Sequence, residues 1–371
     1  MCERNSVFCT FGRRIKKTVL MKKKLSIGAV DLFCGVGGLS HGLIKAGIQV
    51  RAGVDIDASC KYAFETNNKA KFIHKDIKEC EINDLERLYH EDDIKVLAGC
   101  APCQPFSTHT QKNKNRDHDE KWGLLYYFLE IIKKVSPVVV SMENVPQIVN
   151  HKVFSDFIEG LESENYHTHW QKVYCPDYGI PQNRTRLVLL ASKLGEINLI
   201  GPTHTPQNYK TVKMAISHLE PINAGSSSKK DRLHKSAALS KTNLERIKKS
   251  MPGGSWHDWD NNLRADCHRK KSGDSYRSVY ARMEWDKPAP TITTQFYGFG
   301  TGRFGHPEQN RAISIREGAI LQTFPQKYKF IHPGSPVEFG RLGRYIGNAV
   351  PVKLGKIIGK SIIKHFEEHY E

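Results

Sequence analysis

The sequence predicts an α/β protein built around a doubly wound, mostly parallel β-sheet, followed by a smaller and irregular region. Two observations predict this class. From residue 27 to about 192, short β-rich runs alternate with segments of helical periodicity, which is the pattern of strands joined by crossover helices. After Gly195 this alternation stops, because prolines and glycines divide the chain into short pieces.

Seven runs are predicted as strands, and several of them are apolar at successive positions, as expected for strands buried on both faces of a sheet. Residues 123–135 have apolar side chains at helical spacing and end on two lysines before Pro137, which predicts a helix with a defined end. The predicted strands are 27–33, 48–54, 71–74, 94–99, 137–142, 167–175 and 186–191.

The chain divides into four predicted parts. Residues 1–24 are a basic extension, interpreted as a disordered arm or as sequence upstream of a true start at Met21. Residues 25–194 form the α/β domain, and residues 195–336 form a second, basic domain. Residues 337–371 return to the first domain and end in a helix, whose apolar stripe needs a partner there.

The charge is concentrated in two segments. The 371 residues contain 56 Lys and Arg against 39 Asp and Glu, a formal net charge of +17. Eight basic and one acidic residue lie within 1–24, and fourteen basic and six acidic residues lie within 229–282. Because the rest of the chain is close to neutral, the pattern favours a local binding surface for a polyanion. A solvated lysine-rich face is the alternative.

Composition excludes two protein classes. No stretch approaches the roughly 18 consecutive apolar residues of a membrane helix, so a membrane-spanning protein is excluded. The nine cysteines are an odd number without the even framework of a small secreted scaffold, and the first residues lack a secretory pattern. We therefore expect a reducing, cytoplasmic compartment.

Residues 31–42 (DLFCGVGGLSHG) predict a strand that runs into a glycine turn and then a helix. Gly35, Gly37 and Gly38 permit a tight turn and let a ligand approach the free amides of the helix. The G-x-G-x-x-G spacing of dinucleotide-binding folds is absent, which disfavours a pyrophosphate cofactor. A purely structural turn is the alternative.

Two acidic residues follow the next strands. Asp55 ends the second strand and can accept hydrogen bonds from ribose hydroxyls, and Asp76 follows the third strand and can accept one from an exocyclic amine. Together with the glycine turn, they favour an adenosine ligand without a pyrophosphate.

Cys103 follows the fourth strand within GCAPCQPFS, at the sheet edge where open α/β folds build their active sites. A thiolate there would be a strong nucleophile. The alternatives are a buried apolar cysteine, or a redox or metal pair with Cys100. Zinc lacks a second cysteine pair at suitable spacing, and Pro105 interrupts the helix that a redox motif needs.

Glu143 and Asn144 follow the fifth strand, on the same sheet edge as Cys103. A carboxyl group there can donate a proton to a ring nitrogen, or it can cap the next helix. Arg184 and Arg186 are two positions apart at the head of a strand, which predicts that both point to one face. They can bind a carbonyl oxygen or a phosphate, or pair with acids such as Glu143.

Together these segments resemble the DNA (cytosine-5) methyltransferase family, in the family's order from residue 28 to the C-terminus. DLFCGVGG resembles its cofactor motif, PCQPFS its nucleophile motif, ENV its glutamate motif and QNRTR its paired-arginine motif. REGAILQTFP and GNAVP are similar to its last two motifs. The resemblance implies a Rossmann-like S-adenosylmethionine-dependent methyltransferase fold, with residues 195–336 as the target-recognition domain.

The resemblance also implies a role for each catalytic residue. A cytosine would be flipped out of double-stranded DNA, and Cys103 would attack its carbon 6. The methyl group of S-adenosyl-L-methionine would pass to carbon 5, leaving S-adenosyl-L-homocysteine. Glu143 would contact ring nitrogen 3 and the exocyclic amine, Arg186 would hold the base carbonyl, and Arg184 would support the loop.

By resemblance, twelve residues would bind the cofactor, and no metal is implied. Cys34 stands where the family often has a smaller residue, and Asp55 stands where a glutamate is common. We expect neither departure to abolish activity. The twelve residues are Phe33, Gly35, Gly37, Gly38, Asp55, Ile56, Asp76, Ile77, Pro102, Leu125, Asn348 and Val350.

Six further residues are predicted to contact DNA, mostly through phosphates, which position a protein without specifying sequence. Arg303 lies in the glycine- and aromatic-rich segment 293–307, which can enter a groove and present an arginine to guanine. The alternatives are a glycine-rich turn there and a solvated turn at 268–271. The six residues are Ser107, Arg246, Lys248, Lys249, Arg269 and Arg303.

The leading hypothesis is a monomeric modification enzyme of a restriction-modification system, paired in function but not physically with an endonuclease. A tRNA-methylating relative is disfavoured, because that branch's Cys-Phe-Thr element is absent after Gly195. A DNA-binding protein that kept the fold without activity is disfavoured, because Cys103, Glu143 and Arg186 are all present.

Overall fold

A seven-stranded β-sheet forms the centre of the first part of the chain. The computed structural model describes residues 25–91, 93–102, 123–270, 273 and 277–370. The first eight strands in chain order, all of which except β7 belong to this sheet, are β1 (Ile27–Leu32), β2 (Gln49–Asp55), β3 (Lys71–His74), β4 (Ile94–Gly99), β5 (Val139–Asn144), β6 (His167–Tyr174), β7 (Gln182–Asn183) and β8 (Thr185–Ser192). The order across the main sheet is β3-β2-β1-β4-β5-β8-β6. The predicted extension at 1–24 lies outside the described residues.

The strand directions confirm the predicted doubly wound, mostly parallel α/β class. All the pairs that β1 to β5 form with one another are parallel. Strand β8 then enters between β5 and β6 and is antiparallel to both. Each of the seven predicted runs overlaps one strand of this sheet.

Helices cover both faces of the sheet. On one face the apolar core includes α1 (Gly38–Ala46) and α2 (Lys61–Asn68). On the other face it includes α3 (Ile82–Glu86), α4 (Gly123–Val135) and α5 (Lys152–Ser163). Ala29 and Val30, which are successive residues of β1, belong to these two different cores, as the alternation of side chains along a strand requires.

The region after β8 has short elements and its own small core. It contains α6 (Val212–Ile216), α7 (Lys241–Lys249), β9 (Ala289–Pro290) and α8 (Ile315–Leu321), and β9 pairs with β7. A separate buried cluster joins α7 to the segments around it: Ile247, Trp256, Trp259, Phe299 and Ala312. The irregular chain is therefore held by packing rather than by a large sheet.

The end of the chain returns to the α/β part. After α9 (Phe339–Asn348), helix α10 (Val352–Tyr370) packs along α1. Buried apolar residues of α10, such as Leu354 and Ile358, share one core with Leu39 and Leu43 of α1. Among the described helices, none has both the length and the apolar character needed to cross a bilayer.

Candidate active site

A cavity of about 520 Å³ opens at the carboxyl ends of β1, β2 and β4. This volume is within the range of about 300–1,000 Å³ that is usual for small-molecule sites. Ten of the twelve residues predicted to bind a cofactor lie in its wall: Phe33, Gly35, Gly38, Asp55, Ile56, Asp76, Ile77, Pro102, Asn348 and Val350. The remaining two, Gly37 and Leu125, do not.

The three glycines of the turn between β1 and α1 have different surroundings. A Cβ atom on Gly35 would meet nothing within 4 Å, so this position leaves open space. Gly37 has a φ of 86°, and a Cβ there would lie 2.2 Å from the Asn68 Nδ2 atom, so it faces packed structure. A Cβ on Gly38 would lie 2.4 Å from the Val350 carbonyl oxygen. The turn thus brings the start of α1 against the C-terminal segment.

Leu125 is buried in the apolar core of α4, and the preceding residue, Leu124, lines the cavity instead. Successive residues of an α-helix point about 100° apart, so Leu124 faces the cavity and Leu125 faces the apolar core. Whether either leucine contacts a ligand stays a prediction.

Asp55 organises the turn from the end of β2. Its carboxylate accepts hydrogen bonds from the backbone amides of Gly35 and Asp57, each at 2.8 Å. Burial raises the pKa of this carboxyl group. Two accepted bonds leave lone pairs on both oxygens, so Asp55 can still accept hydrogen bonds from a ligand in the cavity. Asp76 accepts a hydrogen bond from the amide of Lys78 at 3.0 Å.

Asp31 is a cavity residue for which the sequence suggested no role. It is 1% exposed, and Ser40 donates a 2.6 Å hydrogen bond to its Oδ2 atom. Its buried Oδ1 atom has no hydrogen-bond partner among the described residues. Burial, with a smaller contribution from the charge of Asp55, raises the pKa of Asp31 to about 7. An acid at the end of a fully buried strand is the signal that could have identified it.

The opposite wall comes from α9 and the residues after it. Arg344 donates a hydrogen bond to the Asp57 Oδ2 atom at 3.0 Å, and the Tyr345 hydroxyl donates to the Ser59 carbonyl at 2.8 Å. Both side chains line the cavity beside Asn348. Sequence reasoning missed Arg344 and Tyr345, because they precede the GNAVP motif.

Glu143 lies at the end of β5 and is 2% exposed. The Arg186 Nε atom is 3.1 Å from its Oε1 atom, and the Cys100 thiol donates to its Oε2 atom at 2.9 Å. The next residue, Asn144, donates through Nδ2 to the Ala101 carbonyl at 3.2 Å. The ends of β4 and β5 are therefore tied together at the cavity.

Arg184 has contacts different from those of Arg186. It lies between β7 and β8 and is 3% exposed. Its guanidinium group donates to the Ile292 carbonyl at 3.1 Å and makes longer contacts of 3.5 Å with the carbonyls of Gly347 and Ala349. Arg184 thus joins the sheet to the second region and to the end of α9, while Arg186 pairs with Glu143.

The predicted nucleophile Cys103 and the predicted DNA contact Ser107 lie outside the described residues. Pro102, the residue before Cys103, lies in the cavity wall.

The comparison with known families decides what this site belongs to. The model of the C-5 cytosine-specific DNA methylase family matches residues 27–364. The chain belongs to this family. It is a DNA cytosine-5 methyltransferase, and the resemblance identified from the sequence is confirmed.

Individual relatives match along most of the chain. The type II methylase M.HgiDII of Herpetosiphon aurantiacus is 52% identical over 349 residues, which are 93% of this chain and 98% of that protein. The type II methyltransferase M.Sau96I of Staphylococcus aureus is 30% identical over 360 residues, covering 94% of this chain and 78% of that one. A crystal structure described as a prophage-encoded DNA modification methyltransferase of Escherichia coli shares the fold, with a TM-score of 0.71, 23% identity and coverage of 92% and 100%.

Several residues that were predicted to contact DNA already have protein partners in the methyltransferase. The Arg246 guanidinium lies 5.6 Å and 5.2 Å from the ring centroids of Trp259 and Tyr280, and it donates to the Leu263 carbonyl at 2.7 Å. Arg303 donates to the Gly253 carbonyl at 2.7 Å. Both arginines therefore hold the second region together, whatever contacts they make with DNA.

The other basic residues are more accessible. Lys249 is exposed, Lys248 is exposed with an ion pair to Glu245 at 2.9 Å, and Arg269 donates to the Asn261 carbonyl at 2.9 Å. Exposed ion pairs contribute only about 0–1 kcal/mol, so Lys248 can leave its partner at little cost. Contacts of these residues with phosphates stay predictions.

Proposed function

We propose that this methyltransferase uses S-adenosyl-L-methionine to modify one cytosine within a short sequence of double-stranded DNA, as the modification enzyme of a type II restriction-modification system. One observation carries the proposal. The cavity, the Glu143–Arg186 pair and the residue before Cys103 all lie at one edge of the sheet. The similarity to enzymes named as type II methylases supports the biological role.

The cavity fits the cofactor. The open space above Gly35 can take a ligand chain, and Asp55 can accept hydrogen bonds from ribose hydroxyls. Phe33 and Ile77 supply apolar wall for a purine ring, and Asp31 supplies a polar group through its Oδ1 atom, which has no hydrogen-bond partner in the described part of the chain. When bound, S-adenosyl-L-methionine supplies an electrophilic methyl group for carbon 5 of cytosine and leaves as S-adenosyl-L-homocysteine.

The protein's own groups would activate the base. The thiolate of Cys103 would add to carbon 6 and so raise the electron density at carbon 5. Glu143 would bind ring nitrogen 3 and the exocyclic amine, and Arg186 would bind the carbonyl oxygen, so both would stabilise charge as it develops. Transfer of the carbon 5 proton to a water molecule and elimination of the thiolate from carbon 6 would then restore the aromatic ring.

A base within a duplex is inaccessible to these groups, so the target cytosine would be flipped out of the helix. Residues 195–336 would hold the DNA as the recognition domain, and Arg184 would connect this domain to the site through the Ile292 carbonyl. We propose that the enzyme acts as a monomer in the cytoplasm, alongside a cognate endonuclease that it does not bind.

The test is to express residues 21–371 and the full chain in a host without cytosine methylation and to sequence 5-methylcytosine across the genome. We expect methylation of one short motif, and none with Cys103→Ser at equal protein level. Cys267→Ser, which changes an exposed cysteine, is the control and should methylate fully. Unchanged turnover of Cys103→Ser contradicts the assigned nucleophile. Unmodified DNA with both chains, followed by unmodified tRNA, would favour a protein that only binds DNA.

A further inference from the structure

Cys100 contacts the carboxylate that the proposed mechanism requires. Its thiol donates to the Glu143 Oε2 atom at 2.9 Å, while Arg186 lies 3.1 Å from the Oε1 atom. We propose that Cys100 is a positioning residue: its thiol fixes the orientation in which Glu143 receives the cytosine base. This inference rests on the proposed role of Glu143.

The position of Cys100 follows from strand pairing. β4 and β5 are parallel, and Gly99 is paired with Met142, so the next residues along the two strands, Cys100 and Glu143, are neighbours. The hydrogen bond from Asn144 to the Ala101 carbonyl provides a second link one residue further on. The thiol is therefore held against the carboxylate by the backbone of two central strands.

A thiol is chemically suited to this task. Arg186 forms an ion pair with the Oε1 atom of Glu143, and this atom accepts no hydrogen bond from the described residues. The directional hydrogen bond from the Cys100 thiol to Oε2 therefore restricts rotation of the carboxylate plane. Cys100 supplies this donor without adding a charge, so it does not form a second ion pair with Glu143. Each oxygen has two lone pairs, so Oε2 can accept from the thiol and from the substrate at the same time.

Substitutions at position 100 separate the effect of the hydrogen-bond donor from the effect of side-chain volume. Cys100→Ala removes the donor, and Cys100→Ser restores one with a similar shape. We expect single-turnover methylation at saturating DNA and S-adenosyl-L-methionine to slow about tenfold in Cys100→Ala, with cofactor affinity within about twofold, and to recover in Cys100→Ser. If the alanine variant does not fold, Cys100→Val replaces it, and the valine variant should be slow where the serine variant is fast.

A binding measurement supplies a readout that does not depend on turnover. The probe is a duplex carrying the methylated motif, titrated in the presence of S-adenosyl-L-homocysteine. Cys100→Ala should weaken binding about threefold in the wild-type background and have no further effect in Glu143→Ala, because the residue acts through Glu143. Equal weakening in both backgrounds overturns the proposal.

The controls separate the proposed role of Cys100 from the proposed function of the enzyme. Cys175 is a fully buried cysteine whose amide donates to the Arg184 carbonyl, and Cys175→Ala should stay within about twofold of the wild-type rate. An equal loss in Cys175→Ala would make the Cys100 effect one of packing and overturn the inference. A wild-type rate in Glu143→Ala overturns the proposed function itself. A slow Glu143→Ala with a wild-type Cys100→Ala overturns only the role of Cys100.

Discussion

The Tyr328 hydroxyl donates a 2.5 Å hydrogen bond to the backbone carbonyl of Val36, across 292 positions of the chain. Tyr328 is 2% exposed, and its ring packs edge-on against His41 at 5.2 Å between centroids. Val36 lies in the glycine turn between β1 and α1, and it lines the cavity. The segment after α8 therefore helps to hold the turn on which the proposed cofactor site depends.

Tyr328→Phe should lower the free energy of unfolding by about 1 kcal/mol and weaken binding of S-adenosyl-L-homocysteine severalfold. The reason is that a buried carbonyl loses its donor and the turn loses one constraint. Denaturant titration and calorimetry measure the two effects. Tyr166→Phe is the matched control, because this buried tyrosine donates an equally short bond to the Pro137 carbonyl outside the cavity. Equal loss of affinity in both variants would contradict a specific role for Tyr328.

Gly38→Ala should reduce affinity for the same ligand at least tenfold, because the new Cβ atom would lie 2.4 Å from the Val350 carbonyl oxygen and must displace backbone. Val350 lines the cavity, so the displacement changes the cavity wall directly. Calorimetry gives the affinity. Gly201→Ala meets nothing within 4 Å and should bind as the wild type does. Unchanged binding by Gly38→Ala would show that the wall at Val350 is not part of the ligand site.

Asp31 predicts a pH dependence of stability. Its pKa rises from 3.8 to about 7 on folding, mainly through burial. Its contribution to stability is therefore complete below pH 3.8 and is lost as the pH rises through about 7. As the pH rises from about 5 to about 8, the free energy of unfolding of Asp31→Asn should increase by roughly 2–3 kcal/mol relative to that of the wild type. Urea unfolding without cofactor measures this difference. For Asp84→Asn, which changes an exposed residue, the difference from the wild type in the free energy of unfolding should not change with pH. A flat difference for Asp31→Asn would exclude the raised pKa.

Glu317→Gln should destabilise the protein by about 3–5 kcal/mol at neutral pH. Arg311 donates two hydrogen bonds of 2.7 Å to this buried carboxylate, so the change leaves a buried guanidinium without its counter-ion. The pKa of Glu317 is lowered to about 2, mainly by the hydrogen bonds and charge of Arg311, which outweigh the effect of burial. The stability it adds is present above pH 4.5 and is lost as the pH falls toward about 2.

The control for Glu317→Gln is Glu338→Gln, which removes an exposed ion pair with Arg341. We expect a loss below about 1 kcal/mol for this change. Thermal or urea unfolding measures both variants. Similar losses in the two would mean that the buried pair stabilises no more than a surface pair does.

Much of the fold could be predicted because several of its strands are continuous apolar runs that alternate with segments of helical periodicity. The direction of a strand cannot be predicted from this pattern. β8 is apolar on successive residues, as the parallel strands are, yet it enters between β5 and β6 antiparallel to both. A run buried on both faces has the same composition in either direction, so only the path of the connecting chain determines the pairing.

The site could be predicted where its residues lie at the ends of strands, as Asp55 and Glu143 do. It could not be predicted where a contact depends on side-chain packing. The charge of Arg246 predicts a phosphate contact, which stays a prediction, but charge alone does not reveal the packing of its guanidinium against Trp259 and Tyr280. The sequence offered Cys100 only as one member of an alternative redox or metal pair, and the register of β4 and β5 reveals its contact with Glu143.

The packing of α10 on α1 also has a consequence for how the enzyme is made. One wall of the cavity comes from Arg344, Tyr345 and Asn348, and the helix that follows them covers the first helix of the domain. During synthesis these residues leave the ribosome after every strand of the main sheet, so a nascent chain has the sheet before it has a complete cavity. A chain stopped before Phe339 lacks this wall altogether, so we expect the cavity to form only after α9 has been made.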